Sequence, residues 1–336
     1  MNQLRRLVLF LALVLATICP GVFGEQIPLR IHFLDVGQAD CILIQTPNER
    51  NMLIDAGNNG DQEIIFSYLE REKIKQLEVV VGTHPHEDHI GSMDAVINRL
   101  PVERVYLPKV TTTTETFASL LSALKQKGLS VKTAKAGVNI ELDPALSIEF
   151  IAPNGGAYEE LNDYSAVIKL TYKQVSFLFT GDAGVCSERE MMAKGMDLRA
   201  DLLKVGHHGS NTSTSRLFLE KVNPRYAVIS VGAGNRYGHP DQEVINRLYR
   251  QQVEVHSTDE VGTIIAVSGG ERIKIIPGSS RLCSVSPEET VVYITKSGRK
   301  YHQLGCRFLQ KGSIPISLTE AQKSGYSPCG VCQPPQ

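Results

Sequence analysis

Three histidines and two carboxylates occupy the six positions from His84 to His89, directly after the apolar run 79–81. Their order contains the pattern His-x-His-x-Asp-His. Imidazole nitrogens and carboxylate oxygens are ligands that Zn, Mn and Fe accept in proteins. Because a short loop after a strand can bring several side chains to one point, the pattern predicts a metal site. The alternative, a polar surface turn, leaves this density of histidine unexplained.

The elements that must position this loop follow from the apolar pattern of the chain. Predicted strands cover 29–34, 41–45, 52–54, 79–82, 104–107, 147–151, 166–172, 175–179, 201–205, 226–231, 263–267 and 272–276, and predicted helices cover 62–72, 90–100, 116–128 and 241–251. Short strands rich in Val and Ile, interspersed with helices, favour an α/β fold. Periodicity alone does not choose between α/β arrangements.

The motif His-x-His-x-Asp-His at 84–89 resembles the signature of the metallo-β-lactamase superfamily. Further landmarks of that superfamily follow at 53–57 (Leu-Ile-Asp-Ala-Gly), 179–183 (Phe-Thr-Gly-Asp-Ala) and 204–210 (Lys-Val-Gly-His-His-Gly-Ser). The resemblance implies two β-sheets sandwiched between helices, an αββα fold, over residues 28–276. It also implies that the metal ligands lie on loops at one edge of the sandwich.

The resemblance also implies a centre for two divalent metal ions, Zn or Mn. The implied ligands are His84 and His86 for the first ion, Asp88, His89 and His207 for the second, and Asp182 as a bridge between both. His208 competes with His207 for its role, because adjacent side chains point in different directions and only one usually reaches a given metal.

The first of these sites lacks one expected ligand. Many superfamily members supply a third histidine between the opening motif and the bridging aspartate, yet no histidine occurs between His89 and Asp182. A segment containing Asn162 and Ser165 stands in this stretch, and a turn that leads into the strand at 166 is the alternative interpretation. An oxygen-rich first site favours Mn or Mg over Zn.

A narrower resemblance connects the segments 33–40, 206–210 and 235–240 with the soluble hydrolase domain of ComEC-type competence proteins. It implies an exported binuclear-metal hydrolase of phosphodiesters with DNA as the substrate. Two ions can share a water, lower its pKa and stabilise both oxygens of an in-line displacement. Two alternatives stay open: hydrolysis of small lactams or lactones, and an inactive protein that binds nucleic acid.

Three residues are candidates for direct roles in catalysis, namely Asp88, His208 and His239. His239 lies between Gly238 and Pro240, ahead of a predicted helix, so a tight loop holds it. It could clamp a phosphate oxygen, protonate the leaving oxygen or fill the vacancy at the first metal. A structural role at the entry to the helix is the alternative.

The C-terminal segment 291–336 carries a second pattern of metal ligands. His302, Cys306, Cys329 and Cys332 give His-x3-Cys-x22-Cys-x2-Cys, a spacing typical of a structural zinc site. The segment is similar to the zinc-binding module of Ada-type DNA-repair proteins, except that His302 replaces the cysteine that accepts methyl groups. The resemblance therefore implies folding around zinc and contact with DNA, without methyl transfer. Disulfides are the alternative in an exported chain.

The net charge of the chain and its distribution indicate which kinds of partner the chain can attract. The formal net charge of −1 excludes a uniformly basic nucleic-acid binder. From residue 291 onward, however, six Lys or Arg residues accompany a single acid, Glu320. This local excess attracts phosphate groups, although an ordinary solvated surface is an equally good interpretation.

Residues 1–24 are typical of a signal peptide. Arg5 and Arg6 precede the apolar run 7–19, Pro20 ends it, and small residues follow. We expect export to the extracellular space or the cell envelope, with an uncleaved anchor as the alternative. Because no other run approaches the roughly 18–20 apolar residues of a membrane span, we expect no stable membrane insertion after signal removal. The segment 277–290, rich in Ser, Gly and Pro, is predicted to be a linker.

Overall fold

The computed structural model describes residues 27–278, 291–295, 298–303, 306–309 and 314–335. The predicted signal peptide, 1–24, lies outside the described residues, as does most of the predicted linker, 277–290. Within the described ranges, no helix combines the length and the apolar character needed to cross a membrane.

The elements follow one another in a mixed order of strands and helices. The strands are β1 (Leu29–Phe33), β2 (Ile42–Gln45), β3 (Asn51–Ile54), β4 (Leu77–Val81), β5 (Val102–Leu107), β6 (Val131–Thr133), β7 (Leu146–Phe150), β8 (Ile168–Tyr172), β9 (Val175–Phe179), β10 (Leu202–Lys204), β11 (Tyr226–Ile229), β12 (Glu254–Ser257), β13 (Ile264–Ser268), β14 (Ile273–Pro277), β15 (Val291–Ile294), β16 (Lys300–Tyr301), β17 (Ile314–Ser317) and β18 (Ser327–Pro328). The helices are α1 (Gln62–Arg71), α2 (Glu87–Ile90), α3 (Met93–Arg99), α4 (Glu115–Gln126), α5 (Val185–Ala193), α6 (Arg216–Val222), α7 (Gln242–Arg250), α8 (Thr258–Val261) and α9 (Leu318–Lys323).

Two large sheets form the centre of the fold. The first has the strand order β14-β13-β1-β2-β3-β4-β5-β6, and the second has the order β12-β11-β10-β9-β8-β7. The strands from β3 to β6 are parallel neighbours, as are those from β9 to β12, and the other pairs are antiparallel. Because parallel neighbours end at the same edge of a sheet, the loops that follow them lie side by side.

Side chains of the central strands are buried on both faces of each sheet. In β4, Val79 and Val81 join the core between the two sheets, whereas Val80 joins the core on the outer face. In β9, Phe177 lies between the sheets and Leu178 faces outward. Successive strand residues point to opposite faces, so a strand buried on both faces appears in the sequence as a continuous apolar run.

Helices cover the outer face of each sheet. Ile65 of α1, Val96 of α3 and Leu120 of α4 are buried against the first sheet. Met191 of α5, Leu219 of α6 and Leu248 of α7 are buried against the second sheet. The layers therefore run helix, sheet, sheet, helix, and the predicted αββα sandwich is confirmed.

The C-terminal segment packs on this sandwich. Its strands pair as β15 with β17 and as β16 with β18. Tyr293 and Leu309 join the core that lies between the two large sheets. Burial raises the pKa of Tyr293 to about 12, and the charges of Glu254 and Glu260 add to the effect. The Tyr293 hydroxyl is therefore neutral at the boundary between the C-terminal segment and the sandwich.

His32 in β1 is a buried imidazole that faces α1. Its Nδ1 atom lies 2.7 Å from the hydroxyl oxygen of Tyr68, within hydrogen-bond distance. Burial, with a smaller contribution from the charge of Arg30, lowers the pKa of His32 to about 3. The ring is therefore neutral in the folded protein at neutral pH.

We expect His32 to make the fold sensitive to acid. The pKa of His32 in the folded chain, about 3, lies below the ordinary value of 6.5, so the unfolded chain takes up the proton first as the pH falls. The stability contributed by the neutral ring is complete above about pH 6.5 and declines towards about pH 3, with about 2 kcal/mol lost between about pH 7 and pH 5. Urea unfolding of the wild type and of His32→Asn at both pH values measures the loss. Equal losses in the two proteins would contradict this account.

Candidate metal centre

The ligand loops follow the ends of parallel strands. His84 and His89 lie on the loop and short helix after β4, Asp182 follows β9, and His207 and His208 follow β10. Since β9 and β10 are parallel neighbours, their loops emerge together. Asp182 from the second sheet contacts His89 from the first, so the two sheets meet at this edge of the sandwich.

Asp182 lies at the centre of the cluster. Its Oδ2 atom lies 3.3 Å from Nε2 of His89, 3.7 Å from Nε2 of His207, 3.8 Å from Nε2 of His84 and 3.9 Å from Nε2 of His208. The Asp182 side chain is buried. One carboxylate with four imidazole nitrogens at these distances is suited to bridge two cations.

Asp88 and His208 form one group around Asp182. Oδ2 of Asp88 lies 3.2 Å from Nε2 of His208 and 4.0 Å from Nε2 of His89. One ligand atom from each of Asp88, His89, Asp182 and His208 lies within 4.8 Å of all the others. The resemblance implied His207 for this place, with His208 as its competitor, and the structure brings His208 into this group.

His84 and His86 form a second group. Nε2 of His84 lies 3.0 Å from Nδ1 of His86, so the two nitrogens converge as ligands of one ion do. His207 is partly exposed and its Nδ1 atom lies 2.9 Å from the hydroxyl of Thr212. Both His207 and His208 have a left-handed backbone, with φ of 49° and 51°. Non-glycine residues seldom adopt this conformation, which here turns the two adjacent rings in different directions.

The segment that contains Asn162 and Ser165, in the stretch where a third histidine is expected, lies beside the cluster. Oγ of Ser165 accepts a hydrogen bond from the Asp182 amide and lies 3.4 Å from Nδ1 of His84. Nδ2 of Asn162 lies 3.5 Å from Nδ1 of His207. Oδ1 of Asn162 is buried and has no hydrogen-bond partner among the described residues. Ser165 therefore lies beside His84, and Asn162 lies beside His207.

Asp55 orients His89, a role that the sequence did not reveal. Oδ2 of Asp55 lies 2.8 Å from Nδ1 of His89. The same carboxylate accepts hydrogen bonds from the amide and the hydroxyl of Thr83. A partner on Nδ1 fixes the ring and directs Nε2 towards the metal. Asp55 belongs to the 53–57 landmark, which was the signal available in the sequence.

A buried ion pair lies beneath His208, and this pair was also missed. Nζ of Lys204 lies 2.8 Å from Oδ2 of Asp40, and both side chains are fully buried. Oδ1 of Asp40 lies 3.5 Å from Nδ1 of His208, which also forms a hydrogen bond of 2.9 Å with the carbonyl of Ser230. Asp40 and Lys204 therefore support the ring from the side opposite its Nε2 atom.

Burial and neighbouring charges set the protonation of the cluster. Burial lowers the pKa of His84 well below its usual value, and His89 adds to this. Burial also lowers the pKa of His89, but the negative charges of Asp182 and Asp55 outweigh burial and hold this pKa well above its usual value. Burial raises the pKa of Asp182, but His89 and His208 hold it well below its usual value. The centre is thus built around an ionised carboxylate, the form that binds a cation.

Two buried atoms test whether a metal ion fits this centre. Nε2 of His89 and Oδ1 of Asp182 have no hydrogen-bond partner among the described residues. Buried polar atoms are almost always paired, so such atoms in a ligand cluster indicate a missing partner. Imidazole and carboxylate donors together suit Zn or Mn. The residues present therefore fit divalent metal ions.

His239 lies at the rim of the centre. Its ring centre lies 5.9 Å from that of His207, and its Nδ1 atom is buried without a hydrogen-bond partner among the described residues. The carboxylate of Asp241 is 3.7 Å away. The structure brings His239 close to the predicted ligands.

A match to a known family shows to which superfamily the chain with this centre belongs. Residues 34–233 match the model of the metallo-beta-lactamase superfamily. The chain belongs to this superfamily. The resemblance predicted from the sequence is confirmed, and so is the prediction of a metal-dependent hydrolase.

Competence and recombination proteins are among the curated relatives of this superfamily member. The chain is 30% identical over 252 residues to ComE operon protein 3 of Bacillus subtilis, an alignment that covers 70% of this chain and 32% of that protein. It is 31% identical over 251 residues to Recombination protein 2 of Haemophilus influenzae, covering 73% and 28%. The chain thus spans roughly a third of the length of these relatives. Igni18, a metallo hydrolase from Ignicoccus hospitalis, has a TM-score of 0.47 and 15% identity, covering 71% of this chain and 98% of its own.

The C-terminal module of this superfamily member brings its four predicted zinc ligands together. One ligand atom from each of His302, Cys306, Cys329 and Cys332 lies within 4.8 Å of all the others. Nδ1 of His302 lies 3.3 Å from Sγ of Cys306. Among the described residues, the cysteines are free thiols rather than disulfides. This donor set fits a structural zinc ion.

We expect Cys332→Ser to lower the zinc content by one ion per chain. Three ligands hold zinc more weakly than four. The zinc content of the purified protein, measured by mass spectrometry, checks this. Cys186→Ser, at an exposed cysteine in α5 outside the cluster, is the matched control. An unchanged zinc content in Cys332→Ser would contradict the assignment.

Proposed function

We propose that the chain is an exported, two-metal phosphodiesterase that cleaves DNA. The position of Asp182 carries this proposal, because its Oδ2 atom has four imidazole nitrogens within 3.9 Å. Two metal ions in such a centre supply an activated water and stabilise the attacking and leaving oxygens of a phosphodiester. The residues of the chain would bind the two ions and orient the phosphodiester.

The ligand assignment that the distances favour differs from the one implied by the resemblance. We assign Asp88, His89 and His208 to one ion, His84 and His86 to the other, and Asp182 to both. His207 takes the place of the missing third histidine, since its Nε2 atom lies 3.7 Å from Asp182 and its ring approaches Asn162. This assignment gives each ion imidazole nitrogens and a share of the bridging carboxylate.

The chain positions these ligands before any substrate arrives. Asp55 holds His89 through Nδ1, and the carbonyl of Ser230 holds His208 through its own Nδ1. Fixed rings require no rearrangement when charge develops on the substrate, which is the main source of electrostatic catalysis. We assign to His239, at the rim, the protonation of the leaving oxygen through Nε2, because its Nδ1 atom is buried beside Asp241.

Two features support DNA as the substrate. The relatives that match over this region include proteins named ComE operon protein 3, Competence protein ComA and Recombination protein 2. In the described part of the C-terminal module, four basic residues accompany the single acid Glu320: Arg299, Lys300, Arg307 and Lys323. Basic side chains on a folded module attract a phosphate backbone and release its counterions. Export through residues 1–24 rests on the sequence pattern alone.

A comparison of substrates tests the proposal. The purified full chain, supplied with Mn or with Zn, is incubated with single-stranded DNA, double-stranded DNA, a lactam and a lactone. We expect DNA to be cleaved in a metal-dependent manner and the lactam and lactone to be left intact. His256→Ala is the matched control, because His256 is a buried histidine outside the cluster. Turnover of the lactam or lactone without cleavage of DNA would overturn the proposal.

A further inference from the structure

The loop 235–240 beside the metal centre carries an aromatic side chain that the proposed mechanism does not use. Tyr237 is 56% exposed, although it lies in a loop close to the centre. Its ring is nearly parallel to that of His239, with an interplanar angle of 13° and 5.8 Å between the ring centres. At this separation two parallel rings overlap only in part, and more than half of the Tyr237 surface stays exposed.

The side chain of Asn235 holds this loop in place. Its Nδ2 atom donates to the carbonyls of Gly232 and His239, at 3.0 and 2.6 Å. Its Oδ1 atom accepts from the amides of Tyr237 and His239, both at 3.1 Å. One amide thus ties four backbone groups together. Tyr237 therefore stands on a fixed frame, and little conformational entropy is lost when a ligand contacts its ring.

The rings form a path from the metal centre to solvent. The ring of His207, whose Nε2 atom lies 3.7 Å from Oδ2 of Asp182, lies 5.9 Å from the ring of His239. The ring of Tyr237 follows on the outside. Tyr237 is therefore the outermost ring of a row that begins beside the metal centre.

Arg236 adds a positive charge next to this ring. Its guanidinium carbon lies 4.9 Å from the centre of the Tyr237 ring, and one of its NH2 groups donates to the Tyr237 hydroxyl at 2.7 Å. Arg236 is exposed. A planar face with an adjacent guanidinium matches the combination of a base and its phosphate.

We infer that Tyr237 is a stacking platform for a nucleobase next to the cleaved phosphodiester, with Arg236 contacting the adjacent phosphate. This inference rests on the proposed function and adds to it a specificity for base-bearing strands. Aromatic side chains that stack on bases tolerate any sequence, because every base has a π face. The platform therefore selects nucleic acid over other phosphodiesters without selecting a sequence.

Matched oligonucleotides test the platform. Cleavage is measured on a short single-stranded DNA, on an RNA of the same sequence, and on a DNA of the same length that carries abasic residues. For Tyr237→Leu we expect kcat/KM on the base-bearing DNA to fall on the order of ten-fold, mainly through KM, with a much smaller change on the abasic strand. Tyr237→Phe retains the ring and should restore cleavage. Tyr249→Leu is the control, because Tyr249 is an exposed tyrosine at the far end of α7.

The outcomes separate the inference from the proposed function. An equal loss on DNA and RNA identifies the base as the group that Tyr237 contacts, and a loss on DNA alone restricts the platform to DNA. Equal effects of Tyr237→Leu on the base-bearing and abasic strands, or no effect on either, overturn the platform while the phosphodiesterase stands. If the wild type, with metal bound, cleaves none of the strands, the proposed function itself fails.

Discussion

Replacing Asp182 with asparagine is expected to lower kcat/KM for DNA cleavage by at least about a thousand-fold. The side chain lies within 3.9 Å of four imidazole nitrogens, so it is the one group shared by both proposed metal sites. An amide keeps the shape of the carboxylate but cannot bridge two cations as an anion. Loss of several kcal/mol of transition-state stabilisation corresponds to this factor, since each ~1.4 kcal/mol is worth about ten-fold in rate.

The Asp182 result needs a control for folding and for metal loss in general. Asp94→Asn in α3 replaces an acid outside the ligand cluster and should retain the wild-type rate. Circular dichroism and thermal unfolding should show that Asp182→Asn is folded. Because His89 and Asp182 attract each other in the metal-free centre, a modest change in stability is expected. Substantial DNA cleavage by a folded Asp182→Asn protein would contradict its role as the bridge.

Lys204→Met is expected to destabilise the fold by about 3–5 kcal/mol. The Lys204 and Asp40 side chains are fully buried and form an ion pair of 2.8 Å. Removing the lysine leaves the Asp40 carboxylate buried without its cation, and an isolated buried charge is costly. Urea unfolding near neutral pH measures the loss.

The double variant Lys204→Met with Asp40→Asn separates charge from shape. It removes both charges, so most of the lost stability should return, because a neutral pair carries no uncompensated charge. A double-mutant cycle then gives the coupling between the two residues. Additive losses in the cycle would contradict the ion-pair explanation.

The sequence predicted the inner strands well because both of their faces are buried. Within β4 and β9, residues 79–81 are all Val and residues 177–179 are Phe, Leu and Phe, and such an uninterrupted apolar run is the pattern of a doubly covered strand. Helices with a regular apolar stripe, such as α4 and α7, were predicted for a similar reason. These elements depend on patterns that are local in the chain.

Helix α5 was not predicted, because its buried side is partly polar. Glu188 and Ser187 are buried there, and Glu188 accepts a hydrogen bond of 3.0 Å from the amide of Ser215 at the start of α6. These contacts join residues that are distant in the chain, so apolar periodicity does not reveal them. Helix α6 has only seven residues, too few to show a period clearly.

The distinction between local patterns and contacts of distant residues also applies to the metal centre. The 84–89 motif identifies ligand types because its residues are adjacent in the chain. The choice between His207 and His208 depends on two left-handed backbone conformations, which no local pattern specifies. The support that Asp40 and Lys204 give to His208 arises only when two sheets meet, so it could not be read from the sequence.

The rate of DNA cleavage as a function of bound metal tests the two-metal proposal most directly. The full chain is stripped of weakly bound ions with a chelator and titrated with Mn, while the bound Mn and the initial rate on a single-stranded oligonucleotide are measured together. We predict that the rate stays near zero with one Mn ion per chain and rises as the second ion binds. The maximal rate with a single bound ion, or no cleavage with two, would contradict the account.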